Sequence, residues 1–114
     1  MKLEEFYREI GSSYADVISR LGNEEFVRRF VLMFKDDKSF EELKDSLERG
    51  READAFRAAH TLKGVAANLG FSALYSEAAE ITEALRLGDL NAAAALFPAL
   101  EEKYRKVIAS AEGL

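Results

Sequence analysis

The chain has 114 residues, of which 48% are apolar and 32% charged, a composition typical of one globular domain. Its formal charge of −5 argues against non-specific nucleic-acid binding, which needs an excess of Lys and Arg. The absence of cysteine and the single histidine exclude disulfides, cysteine-ligated metals and a multi-histidine metal site within one chain.

Helical periodicity runs from one end of the sequence to the other and predicts an all-α protein. The N-terminus carries charges throughout, and no segment approaches the roughly 20 apolar residues that would span a bilayer. We therefore expect a cytoplasmic protein. Seven helices are predicted, beginning near Leu3, Tyr14, Glu24, Ser39, Arg51, Ser72 and Leu90.

Local signals predict how several of these helices begin and end. Gly22 and Gly70 stand where a left-handed residue closes a helix. Ser39 and Glu42 have the spacing of a capping box. The third helix is apolar over so broad a surface that deep burial is expected. Single side chains predicted to cap a helix N-terminus are Asn23, Ser72 and Asp89.

The only histidine, His60, faces outward on the helix predicted for residues 51–69. At about 100° per residue, the apolar side chains that would face the core fall on the opposite side: Ala55, Ala58, Leu62, Val65 and Leu69. The side of His60 is small and partly apolar, whereas an exposed face usually carries Glu, Lys, Gln and Arg. Such a face favours docking of a partner around one imidazole. Its members besides His60 are Ala53, Phe56, Arg57, Lys63, Gly64 and Ala67.

These residues suit a phosphoryl group carried on His60. A neutral imidazole is a nucleophile, and the ammonium of Lys63, one turn away, would stabilise the added negative charge. Gly64 would leave room for the phosphoryl group and its donor. Two other interpretations stay open: a histidine with no special role, and a helix that ends at Gly64 instead of Gly70.

The sequence contains no glycine-rich nucleotide loop and no paired carboxylates in this motif to hold Mg²⁺. We therefore expect no ATP site, no cofactor and no kinase activity of its own.

The run A-H-T-L-K-G-V-A-A-N-L-G, Ala59 to Gly70, resembles the signature of histidine-containing phosphotransfer (HPt) domains of two-component phosphorelays. The match includes His60, Leu62, Lys63, Gly64, Leu69 and Gly70 at the family spacing. Three further stretches fit the family: S-Y-A-D-V-I-S-R-L-G-N-E-E-F, F-V-L-M-F-K-D-D and L-G-D-L.

The resemblance implies an antiparallel up-down four-helix bundle with short additional N-terminal helices, in a single domain spanning residues 1–114. We expect residues 1–22 to form the additions and about 23–112 the bundle. It also implies that His60 accepts a phosphoryl group from a receiver-domain phosphoaspartate and passes it to another receiver, which supplies Mg²⁺. Lys63 would be its charge partner and Gly64 its clearance residue.

Partners implied are response-regulator receiver domains and a hybrid sensor histidine kinase, with the protein itself a monomer. Many family members direct a glutamine at the histidine from the following helix, where this chain has Thr82. Thr82 and Arg86 could contact the imidazole or its phosphoryl group, or could be ordinary helix surface. Binding residues predicted around His60 are Phe56, Arg57, Ala67, Asn68, Thr82 and Arg86.

Two alternatives remain. The chain could be the phosphoacceptor domain of a chemotaxis-type histidine kinase, phosphorylated from ATP by a separate domain. It could also be a helical adaptor that binds a partner through Phe56 and Ala67 without phosphorylation.

Overall fold

A computed structural model describes all residues, Met1–Leu114, and contains seven α-helices and no strand. The all-α prediction and the number of helices are confirmed. No helix combines the length and apolar character needed to cross a membrane. The helices are α1 Leu3–Glu9, α2 Tyr14–Leu21, α3 Glu24–Phe34, α4 Ser39–Glu48, α5 Glu52–Leu69, α6 Ser72–Arg86 and α7 Leu90–Ala111.

Four helices form the bundle. Each of α4, α5 and α6 packs against the helix that follows it, and α4 also contacts α7, which closes the ring. The connections within this ring span only a few residues, so successive helices run antiparallel. The bundle supports the predicted up-down architecture and gives α5, the helix of His60, a neighbour on both sides.

The three N-terminal helices pack against the bundle. Helix α1 contacts α7, and α3 contacts α5. The ring of Phe34, at the end of α3, lies edge-on to the buried rings of Phe71 and Tyr104, with centroids 5.2 and 5.8 Å away. The boundary between additions and bundle near residue 23 stays a prediction, although aromatic contacts join α3 to the bundle core.

The predicted helix ends at Gly22 and Gly70 are found, each glycine with a left-handed φ. Of the predicted N-terminal caps, two are correct and two are not. Asn23 and Asp89 accept the backbone N–H groups of Phe26 and Ala92, as expected of caps. Ser39 is instead the first residue of α4, and Asp37 accepts its N–H. The capping box is therefore wrong: Lys38 holds the cap position, and no side chain there accepts a hydrogen bond from the first turn.

The predicted cap at Ser72 is also wrong, for a different reason. Ser72 is the first residue of α6, and its N–H donates to the hydroxyl of Ser12 at 3.1 Å. The cap thus comes from a segment 60 residues earlier. A cap supplied by tertiary structure leaves no local pattern around the helix that it serves.

The deep burial expected of α3 is wrong as well. Val27, Val31 and Phe34 are buried, but Phe26 and Met33 are 43% and 56% exposed. The helix lies on the outside of the bundle, so only one stripe of its apolar surface meets the core. Phe26, Leu32 and Met33 are left facing solvent, while Phe30 is half-buried against the core.

Candidate functional site

The imidazole of His60 is exposed near the middle of α5. On the opposite side of this helix, Ala55, Ala58, Leu62 and Leu69 are buried in the core, while Val65 is half-buried. Because these residues tie α5 to the bundle over most of its length, the direction of His60 is fixed by the core. The outward direction predicted from the helical wheel is the one found.

Gly64 lies inside α5, one turn after His60, and α5 continues to Leu69. The interpretation in which the helix ends at Gly64 is therefore wrong. The helix ends at Gly70 instead, which has a left-handed φ of 72°. A Cβ at Gly64 would meet no other part of the protein within 4 Å, so the fold itself does not require glycine there.

Phe56 precedes His60 by one turn, and the two rings are tilted with centroids 5.9 Å apart. Phe56 is half-buried against the core, so only part of its ring can meet a partner. Ala67 and Asn68 are exposed. The surface on either side of Gly64 is therefore low and partly apolar.

Charged side chains flank this surface. Lys63 is half-buried on α5, and Arg57 is exposed and forms an ion pair with Asp54, three residues earlier. On α6, Arg86 forms an ion pair with Glu83, its Nε lying 3.0 Å from Oε2. The hydrogen bond from Arg86 lowers the pKa of the Glu83 carboxyl, and the charges of Arg86 and Lys63 lower it further. Glu83, which the sequence analysis did not single out, thus pairs with one predicted cation, Arg86, and is influenced by the charge of a second, Lys63.

Thr82 is only 5% exposed, and its hydroxyl donates to the carbonyl of Ala78 at 2.7 Å. The interpretation of Thr82 as ordinary helix surface is therefore wrong. Its hydroxyl proton is used within α6 and forms no hydrogen bond with the imidazole. Threonine often makes this bond to the preceding turn of its own helix, which the spacing from the family motif does not reveal.

A groove that the sequence did not predict runs beside this surface, between α3 and α5. Phe30 and Met33 line it from α3, and Val65 and Asn68 from α5. Asp36 and Asp37 lie at its end. In the sequence, the one sign of this groove is the excess of apolar residues in α3, from which burial of the whole helix in the core was predicted. The groove connects the exposed side of α3 with the surface around Gly64.

No group of three or more His, Asp or Glu side chains is placed to hold a metal ion.

Among known protein families, the model of the Hpt domain matches residues 29–110, which is more than half of the chain. No curated protein and no solved structure matches the chain.

Proposed function

Since the chain belongs to the Hpt domain family, we propose that it is a phosphorelay intermediate with His60 as its phosphoacceptor. Domains of this family are phosphocarrier modules of two-component signalling. In the proposed relay His60 receives the phosphoryl group from the phosphoaspartate of one receiver domain and gives it to the aspartate of another.

The observation that carries the proposal is the open space over Gly64. A glycine inside a helix costs about 1 kcal/mol relative to alanine, and the fold offers no packing reason for it. The requirement for a flat surface therefore comes from outside the chain. A partner that brings a phosphorus atom to the imidazole one turn away supplies that requirement.

The proposed step needs no other group from this chain. A ring nitrogen of His60 attacks the phosphorus, so that a P–N bond forms while the acyl-phosphate P–O bond breaks. The aspartate leaves as a carboxylate, and the imidazole gives up its ring proton to water. The ammonium of Lys63, three residues along the same face, attracts the phosphoryl oxygens of the product.

We further propose that the receiver docks on an apolar ridge on α3, formed by Phe26, Phe30 and Met33. These side chains lie at helical spacing beside the buried stripe of α3. Phe26 and Met33 are exposed, Phe30 is half-buried, and the rings of Phe26 and Phe30 pack edge-to-face, 4.6 Å apart. The groove beside Val65 and Asn68 joins this ridge to the His60 surface. A single partner can therefore cover both.

The docking partner in this proposal is apolar at its centre and carries a basic side chain at its edge. Asp36 and Asp37 end the groove, and carboxylates at the rim of an interface guide a basic partner and fix its register. Phe56, Arg57, Ala67 and Asn68 would complete the contact around His60.

The remaining assignments belong to the same proposal. The protein works in the cytoplasm as a monomer without a cofactor, receives its phosphoryl group from the receiver of a hybrid sensor histidine kinase, and relies on Mg²⁺ bound by the receiver. Lys63 and Arg86 then act as cations beside the phosphoryl group, and Thr82 supports α6 from within.

The test is transfer from a receiver charged with labelled acetyl phosphate, using the receivers encoded in the same genome. Label is expected on the wild-type chain and none on His60→Gln. Undiminished labelling of His60→Gln would overturn the assignment of the phosphoacceptor. Receiver binding without transfer would favour the adaptor, and labelling only by ATP with a separate kinase domain would favour the chemotaxis-type alternative.

The docking ridge has a matched control on its own helix. Met33→Asp places a charge in the ridge, whereas Leu32→Asp places one at an exposed position on another side of α3. Met33→Asp is expected to raise the receiver concentration needed for half-maximal transfer by about tenfold or more, and Leu32→Asp to leave it unchanged. Equal effects of the two would overturn the ridge as the docking site.

A further inference from the structure

The ion pair on α6 lies beside the helix that carries His60. Glu83 and Arg86 are both exposed, and they make two contacts with each other, Nε to Oε2 and Nη2 to Oε1. Helices α5 and α6 pack along their length, and the buried Thr82 fixes which side of α6 meets the bundle. Glu83 directly follows Thr82 in the chain and is exposed.

Glu83 is in the field of two cations. Besides Arg86, the ammonium of Lys63 on α5 contributes to lowering the pKa of the Glu83 carboxyl. The effect on Arg86 is reciprocal, since the hydrogen bond with Glu83 and its charge raise the pKa of the guanidinium. Of the two cations offered for the phosphoryl group, Arg86 is thus paired with Glu83, and the charge of Lys63 acts on the same carboxylate from α5.

From this geometry we propose that Glu83 is a positioning residue that competes with the phosphoryl group for Arg86 and Lys63. The inference rests on the proposed function of His60. In the free protein the carboxylate holds Arg86 in an ion pair. When His60 is phosphorylated, the phosphoryl oxygens and Glu83 divide the two cations between them, so the phosphohistidine is less stabilised than it would be beside two free cations.

The competition suits a carrier that must release what it accepts. Two unopposed cations would favour the phosphorylated form and hinder transfer onward. Exposed charges interact weakly, so the expected effect of removing Glu83 is modest, about twofold to fivefold. Glu83 would thus adjust the phosphoryl-transfer equilibrium without taking part in the reaction.

The first test needs no receiver. Phosphoramidate can load the imidazole directly, forming the P–N bond as ammonia departs with the ring proton. The pH dependence of the ³¹P chemical shift then reports the proton affinity of the phosphoryl group, which nearby cations lower. Glu83→Gln is expected to lower this affinity about twofold to fivefold relative to wild type. Its control, Glu80→Gln, removes the same charge from an exposed position on the same helix.

Two further measurements separate competition from a structural effect. In a chain carrying Arg86→Gln, the shift caused by Glu83→Gln is expected to shrink, because one of the cations is already absent. With a receiver that exchanges phosphoryl groups with the protein, Glu83→Gln is expected to move the equilibrium toward His60 by a similar factor.

An unchanged ³¹P titration in Glu83→Gln, or an equal shift in Glu80→Gln, would overturn the role of Glu83. A shifted titration without transfer from any receiver would support Glu83 and overturn the relay instead. Failure of phosphoramidate to load His60 would overturn both, since an exposed imidazole was the premise of each.

Discussion

The middle and the C-terminal end of α5 are built in opposite ways. Around His60 and Gly64 the helix presents open space, and a Cβ at Gly64 would meet nothing. At its end, α1 and α2 hold the last carbonyls: Tyr7 donates to Leu69 at 2.6 Å and Arg20 to Asn68 at 3.3 Å. The end of the helix is fixed by the rest of the chain, so the middle can be left clear for a partner.

The largest effect is expected from a substitution that fills the open space over Gly64 in the middle of α5. Gly64→Gln places a side chain where a receiver would approach, and displacement of reacting groups by about 1 Å can cost about a hundredfold in rate. We expect phosphoryl transfer to fall by about that factor while the melting temperature does not fall. The measurement is the initial rate of transfer beside a thermal unfolding curve. A rate near that of wild type would show that clearance at Gly64 is not needed.

The middle and the C-terminal end of α5 each contain a glycine, so the same substitution to alanine can be made at both. Gly70 has a φ of 72°, and a Cβ there would lie 2.6 Å from Cγ2 of Val17. Gly70→Ala is expected to lower the free energy of unfolding by about 2 kcal/mol, since alanine is strained in the left-handed region. Gly64→Ala is expected to raise it by about 1 kcal/mol, because alanine favours the helix interior.

Denaturant unfolding of both alanine variants measures this difference in sign. A loss of stability in Gly64→Ala would mean that glycine serves the fold there, and the principal support for the proposed function would disappear.

A third prediction concerns the buried hydroxyl of Tyr7. Tyr7→Phe leaves the carbonyl of Leu69 without its donor, which is expected to cost about 1–2 kcal/mol in unfolding free energy. Phosphoryl transfer by the folded protein should remain close to wild type, because the lost hydrogen bond lies at the end of α5 and not beside His60. Tyr75→Phe is the control, since its ring is 39% exposed. Equal losses in the two variants would show that the Tyr7 hydrogen bond contributes nothing.

The sequence was sufficient for the elements and for the face of His60, because both follow from periodicity within one helix. Gly70 could be identified as a helix end for the same reason. The sequence could not reveal that Ser12 caps α6 or that Tyr7 donates to the carbonyl of Leu69, since these partners are about 60 residues apart in the chain. The exposed ridge of α3 was missed because a broad apolar surface is equally consistent with a core helix and with a docking helix.

The smallest expected effect concerns Arg20, which reaches the end of α5 from α2. Its side chain is 40% exposed and also pairs with Asp16, so Arg20→Gln is expected to cost only about 0.5 kcal/mol near neutral pH.

At alkaline pH both chains should lose stability together. Burial raises the pKa of Tyr7 in the folded state, and the charge of Arg20 lowers it in part. A tyrosine with a raised folded-state pKa contributes stability below its unfolded-state pKa, about 10, and this stability is lost as pH rises toward the folded-state value. Tyr7 therefore stays protonated in both folded chains up to about pH 12, with or without Arg20. Unfolding curves between pH 9 and about pH 12 should keep the difference between Arg20→Gln and wild type at its value near neutral pH, whereas Tyr7→Phe should reduce the alkaline loss of stability by the same amount in both chains. A difference that widens within this range would mean that Tyr7 ionises in the folded protein and that Arg20 controls this ionisation.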